Sequence, residues 1–122
     1  ITLTAGLESM KLFDATAIER INTLAQRAID GIERAIKETG ATACVTGAGS
    51  MFRIHMKEHA PKNFREAYMS PEENAKLKIL LDHMFDENFL MINTCSAVLS
   101  TPMTESEIDY LVEAVKRGLQ KL

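Results

Sequence analysis

Apolar residues recur along this chain first at a helical period and then at a strand period. Leu3, Leu7 and Met10 follow four- and three-residue spacing, one face of a first helix, with no Ser, Asp or Asn ahead of them as a cap. Asp14 is suited to cap a second, longer helix, in which Ile18, Ile21, Leu24, Ala25, Ala28, Ile32, Ala35 and Ile36 trace one stripe. Charged residues from Glu19 to Lys37 take the opposite side, and Gly40 stands where a left-handed C-terminal cap is needed. The period then shortens to two. Residues 43–46 predict a strand, Gly47-Ala48-Gly49 a hairpin turn, and residues 50–57 the return strand. Phe52, Ile54 and Met56 fall on one side of that strand, and Arg53, His55 and Lys57 on the other. Such alternation predicts a sheet with one face buried and one face wet or turned to a partner.

Residues 58–70 read as a polar loop, and Ser70-Pro71-Glu72-Glu73 as a strong helix start. That helix carries Ala75, Leu77, Leu80, Leu81, Met84 and Phe85 and is expected to end near Asn88. Two short strands are expected over 89–92 and 96–100. Thr104-Glu105-Ser106-Glu107 is a capping box opening a last helix with the stripe Ile108, Leu111, Val112, Val115 and Leu119. The order α-α-β-β-α-β-β-α predicts an α+β, two-layer small domain. Its three- or four-stranded, mainly antiparallel sheet would be covered by helices on one face, leaving the Arg53 and His55 face open.

Composition narrows the partners. The 122 residues fit a single domain, 1–122, and an apolar fraction of 46% supports a real if modest core. A net charge of -3 with interspersed signs leaves no basic footprint for nucleic acid or anionic lipid. No apolar run approaches the length that crosses a bilayer. Two cysteines make no disulfide framework and suit a reducing, cytoplasmic setting. A helix that begins at once without a cap reads as the continuation of something upstream.

Chemistry-bearing groups are sparse. Gly47-Ala48-Gly49 follows a strand, but a dinucleotide loop needs a glycine where Phe52 stands and a helix where a strand follows. His55 and His59 are four apart on a strand and a loop, with no third ligand spaced to join them, so no metal site is expected. Cys44 reads as core, and Cys95 as a small buried or half-buried thiol in preference to a nucleophile. All eight lysines fall on polar faces or in loops, none of them placed as a pocket lysine. No catalytic residue is assigned.

Several stretches together resemble the C-terminal part of class-III, pyridoxal-phosphate-dependent aminotransferases, in the glutamate-1-semialdehyde aminomutase-like branch. Leu3-Thr4-Ala5-Gly6-Leu7-Glu8 is similar to the helix after that family's Gly-Asn-Pro turn, and Gly47-Ala48-Gly49-Ser50-Met51-Phe52 to its Gly-x-Gly-Ser-Met-Phe hairpin. Asn63-Phe64-Arg65-Glu66-Ala67 is similar to the loop beyond the hairpin, and Leu99-Ser100 with residues 104–109 to the closing strand and last helix. The resemblance implies the small C-terminal domain of a larger, usually homodimeric enzyme. The cofactor, pyridoxal phosphate, and its Schiff-base lysine would belong to a large domain upstream of Ile1. This segment would close and line the substrate pocket, without cofactor-binding residues of its own. In the aminomutase branch a glutamate stands where Cys95 falls here, and some ω-aminotransferases carry an arginine nearby. A neutral wall including Asn93 and Cys95 implies a small amino acid or amine substrate without a distal carboxylate. The reading from another class is a free-standing α+β interaction or regulatory module.

Overall fold

The computed structural model describes residues 1–122. Helix α1 (Thr2–Leu12) precedes α2 (Ala15–Thr39), strands β1 (Cys44–Ala48) and β2 (Met51–His55), the one-turn helix α3 (Phe64–Ala67), α4 (Pro71–Asp86), strand β3 (Ser96–Val98) and α5 (Glu105–Leu119). The strands form one antiparallel sheet in the order β1-β2-β3. This is the expected α+β arrangement, with the sheet at its three-stranded limit.

Local chemistry sets the element ends. The Asp14 carboxylate accepts from the Ala17 N–H at 2.9 Å, and Gly40 closes α2 in the left-handed region at φ 67°. Ser70 and Glu73 satisfy each other's backbone N–H groups at the start of α4. At α5 the Thr104 N–H donates to the Glu107 carboxylate at 2.8 Å. Ala48 pairs with Met51, so Gly49-Ser50 is a two-residue loop, and Gly49 has the positive φ of 59° that a type II′ turn requires at its first position.

Packing is one-sided. Helix α2 lies along β1 and β2, α5 along α2, and α4 along α5. Phe52 and Ile54 of β2 are buried in one cluster with Ala28 and Ile32 of α2, Leu80 and Met84 of α4, and Ile108 and Val115 of α5. Full burial of a large apolar side chain is worth about 1.5–3 kcal/mol, so this cluster carries most of the stability. The α2–α5 contact is close at Gly31, where an added Cβ would lie 2.5 Å from Val112 Cγ2. Arg27 then grips Asp109 across the same interface with two contacts of 2.8 Å.

Three expectations are corrected, and α1 forms as expected. Residues 89–92 form no strand. The Asn88 N–H bonds to Phe85 O and the Phe89 N–H to Met84 O, so both are spent closing α4 in a Schellman motif, with Asn88 left-handed at φ 67°. A second turn follows at once, Cys95 N–H to Ile92 O at 2.8 Å, so no straight run is left for a ladder. Within 58–70, α3 forms because the Asn63 side chain caps the Glu66 N–H at 3.0 Å. Helix α1 exists, yet it buries no residue, and Leu3 and Met10 are exposed. Cys44 is half-buried, not core, because it opens β1, an edge strand of the sheet.

Candidate functional site

The sheet face turned away from the helices is the concave, unpartnered surface. Phe52 and Ile54 point to the helical layer, so Met51, Arg53 and His55 point the other way, but only Met51 and Arg53 are open: His55, expected on the open face, is buried at 6% exposure. The register sets Thr46, Arg53 and Ser96 in one row across the three strands, and Ala48, Met51 and Val98 in the next. Leu90 and Ile92 flank these rows and complete an open hollow of about 440 Å³.

Arg53 is the one charged side chain lining it. Its Nε donates to the Thr94 carbonyl at 3.2 Å, which fixes the guanidinium plane, while Nη1 and Nη2 meet no acceptor in the chain. Thr46 Oγ1 lies 2.9 Å from His55 Nε2, and Ser96 Oγ lies 3.0 Å from Thr94 Oγ1. Burial pushes the His55 imidazole below its ordinary range, and the Arg53 and Lys57 charges push the same way, so the ring is neutral at pH 7. Lys57 itself is paired, 2.8 Å from each oxygen of Glu73.

Asn93 and Cys95 share the turn that leads into β3, but their side chains separate. Asn93 is exposed at the turn, whereas Cys95 is 0% exposed and part of the core. Cys95 adopts φ 57°, and its carbonyl accepts from the Ile54 N–H at 3.1 Å. Burial pushes its thiol up to about 12, so no thiolate is present for nucleophilic work near neutrality. Neither residue lines the hollow. Thr46 and Ser96 were not singled out from sequence, because only the register of three strands brings them to Arg53.

No lysine lines the hollow. Lys11, Lys57, Lys78 and Lys116 are paired with carboxylates, Lys121 lies 2.8 Å from His83 Nδ1, and Lys37, Lys62 and Lys76 are exposed. The residues present therefore do not fit a covalent anchor for an aldehyde cofactor. No three His, Cys, Asp or Glu side chains converge on a metal-sized site. No helix is long and apolar enough to cross a membrane.

No protein-family model matches the chain. A glutamate-1-semialdehyde 2,1-aminomutase from Akkermansia muciniphila is 29% identical over 125 residues, covering 100% of this chain and 29% of that protein. The structure of an ω-transaminase from Sphaerobacter thermophilus superposes with a TM-score of 0.93 at 29% identity, over 98% of this chain and 27% of that one. A transaminase solved with PLP bound gives a TM-score of 0.80 at 29% identity, over 95% of this chain and 26% of its own. The chain thus spans less than a third of the length of the relatives it matches. The three-stranded sheet with helices on one side is the fold of the matching part of these aminotransferases. Over its whole length the chain is similar to one segment of glutamate-1-semialdehyde 2,1-aminomutases and of class-III transaminases of known structure.

Proposed function

We propose that this chain is the small C-terminal domain of a pyridoxal-phosphate-dependent aminotransferase, and that its open sheet face closes the substrate pocket. The observation that carries the reading is that face: a hollow of about 440 Å³ with one uncompensated charge, on a fold matching part of an ω-transaminase. A large domain, with a second copy in a homodimer, would supply the cofactor and its lysine. When bound there, pyridoxal phosphate supplies the electron sink. The residues of this chain orient substrate and exclude water. Arg53 faces the pocket, and the turn carrying Asn93 and Cys95 borders it, between the lining residues Ile92 and Ser96. The substrate is a small amino acid or amine without a distal carboxylate.

The 122-residue chain alone is expected to carry no anchoring lysine. Titration with pyridoxal phosphate followed by borohydride should label several exposed lysines weakly. One dominant, stoichiometric phosphopyridoxyl-lysine would overturn the domain assignment. With the full-length protein, an amine donor should convert the cofactor spectrum and yield product, whereas efficient conversion of glutamate-1-semialdehyde to 5-aminolevulinate would overturn the substrate class.

A further inference from the structure

The six arginines differ in what they face. Arg27 and Arg117 pair with carboxylates, Arg20 donates to the Met103 carbonyl, and Arg34 and Arg65 are exposed. Arg53 alone is half-buried with no carboxylate partner. A guanidinium held by its Nε presents its other edge as a rigid two-donor fork, the geometry that matches a carboxylate. Its neighbours on either side are hydroxyls, Thr46 and Ser96, at cross-strand distances of about 4.5–5.5 Å. The next row, Ala48, Met51 and Val98, is wholly apolar, and Leu90 and Ile92 extend it. The face is thus graded: one cationic, hydroxyl-lined row beside one apolar row, with no acidic side chain lining either.

We propose that the Thr46–Arg53–Ser96 row is a carboxylate-binding site, and that its ligand is a monocarboxylate whose remainder is apolar and lies on Ala48, Met51 and Val98. Resting on the aminotransferase reading above, this names the substrate class: an apolar amino acid or oxo acid held by its single carboxylate. It agrees with a pocket that has no second cation for a distal charge. It also moves specificity from the turn at 93–95 to β2.

The test uses the full-length protein and two probes of matched shape, 4-phenylbutyrate and its uncharged amide, titrated calorimetrically. The acid is expected to bind more tightly than the amide. Arg53→Gln should weaken the acid roughly tenfold to a hundredfold and the amide less than about twofold. Arg53→Lys should recover part of the loss, since the charge stays and the fork goes. Val98→Asp, which leaves the Arg53 hydrogen bond to Thr94 untouched, should also suppress acid binding and so serves if Arg53→Gln does not fold. Acid and amide binding equally to the wild type would overturn the proposal, as it would if an acidic side chain of another domain already neutralised Arg53. Equal weakening of both probes by Arg53→Gln would overturn it too. The aminotransferase reading fails separately: a protein that binds the acid through Arg53 but whose cofactor spectrum is unmoved by every amine keeps the site and loses that reading.

Discussion

Glu87, one residue past α4, is the carboxylate whose charge state the fold controls most strongly. It accepts from Arg117 at 2.9 Å and from Tyr110 at 2.8 Å, tying the end of α4 to α5. The hydrogen bond from Arg117, then that from Tyr110, holds its carboxyl down at about 2, below the ordinary value of 4.5. A carboxyl depressed by folding stabilises the protein above its unfolded pKa, and that contribution fades as pH falls from about 4.5 towards 2. Glu87→Gln should therefore lower the melting temperature near pH 7, and the gap to wild type should close between pH 4.5 and 2. A gap that stays constant across that range would refute the ion-pair account. None of this was legible in the sequence. Glu87 reads there as part of a helix end, and its partners are 23 and 30 residues away. Asp14, Ser70 and Thr104, by contrast, act within three residues of themselves, and their capping roles were plain from spacing.

Among elements, the α2–α5 contact depends on a missing side chain. Alanine in a helix interior is normally about 1 kcal/mol better than glycine. At Gly31 the added Cβ would sit 2.5 Å from Val112, and overpacking of that kind costs about 1–3 kcal/mol. Gly31→Ala should therefore destabilise the chain in urea, and Val112→Ala in that background should recover part of the loss through a non-additive coupling. A stabilised Gly31→Ala variant would show that the helices can part at no cost. The apolar stripes of α2 and α5 were readable because a period of 3.6 repeats over many turns. The supposed strand at 89–92 was misread because four apolar residues carry no period of their own. The Schellman hydrogen bonds of Asn88 and Phe89 decided its conformation: Asn88 marked the helix end in the sequence, but not that Phe89 would be held back onto α4.

At the scale of the whole molecule, one layer of helices on one side of a sheet makes neighbouring residues of β2 behave as opposites. Phe52 is 2% exposed and Met51 57%. Phe52→Ala should cost about 3–5 kcal/mol in a denaturation experiment, and Met51→Ala less than about 1 kcal/mol. Similar losses for both would mean the second face is also core. This two-sidedness was readable from alternation along one strand. The Thr46–Arg53–Ser96 row was not, since it needs β3 brought to β2 from beyond α4. The pairing of α2 with α5 has a consequence in time. Arg27 and Asp109 are 82 residues apart, so a ribosome adding 5–20 residues per second makes α2 roughly 4–16 s before its main partner exists. During that interval the hairpin can shelter only part of the apolar stripe. The nascent chain must therefore carry a sticky helix unaccompanied, a window in which a chaperone or a premature stop decides between folding and aggregation.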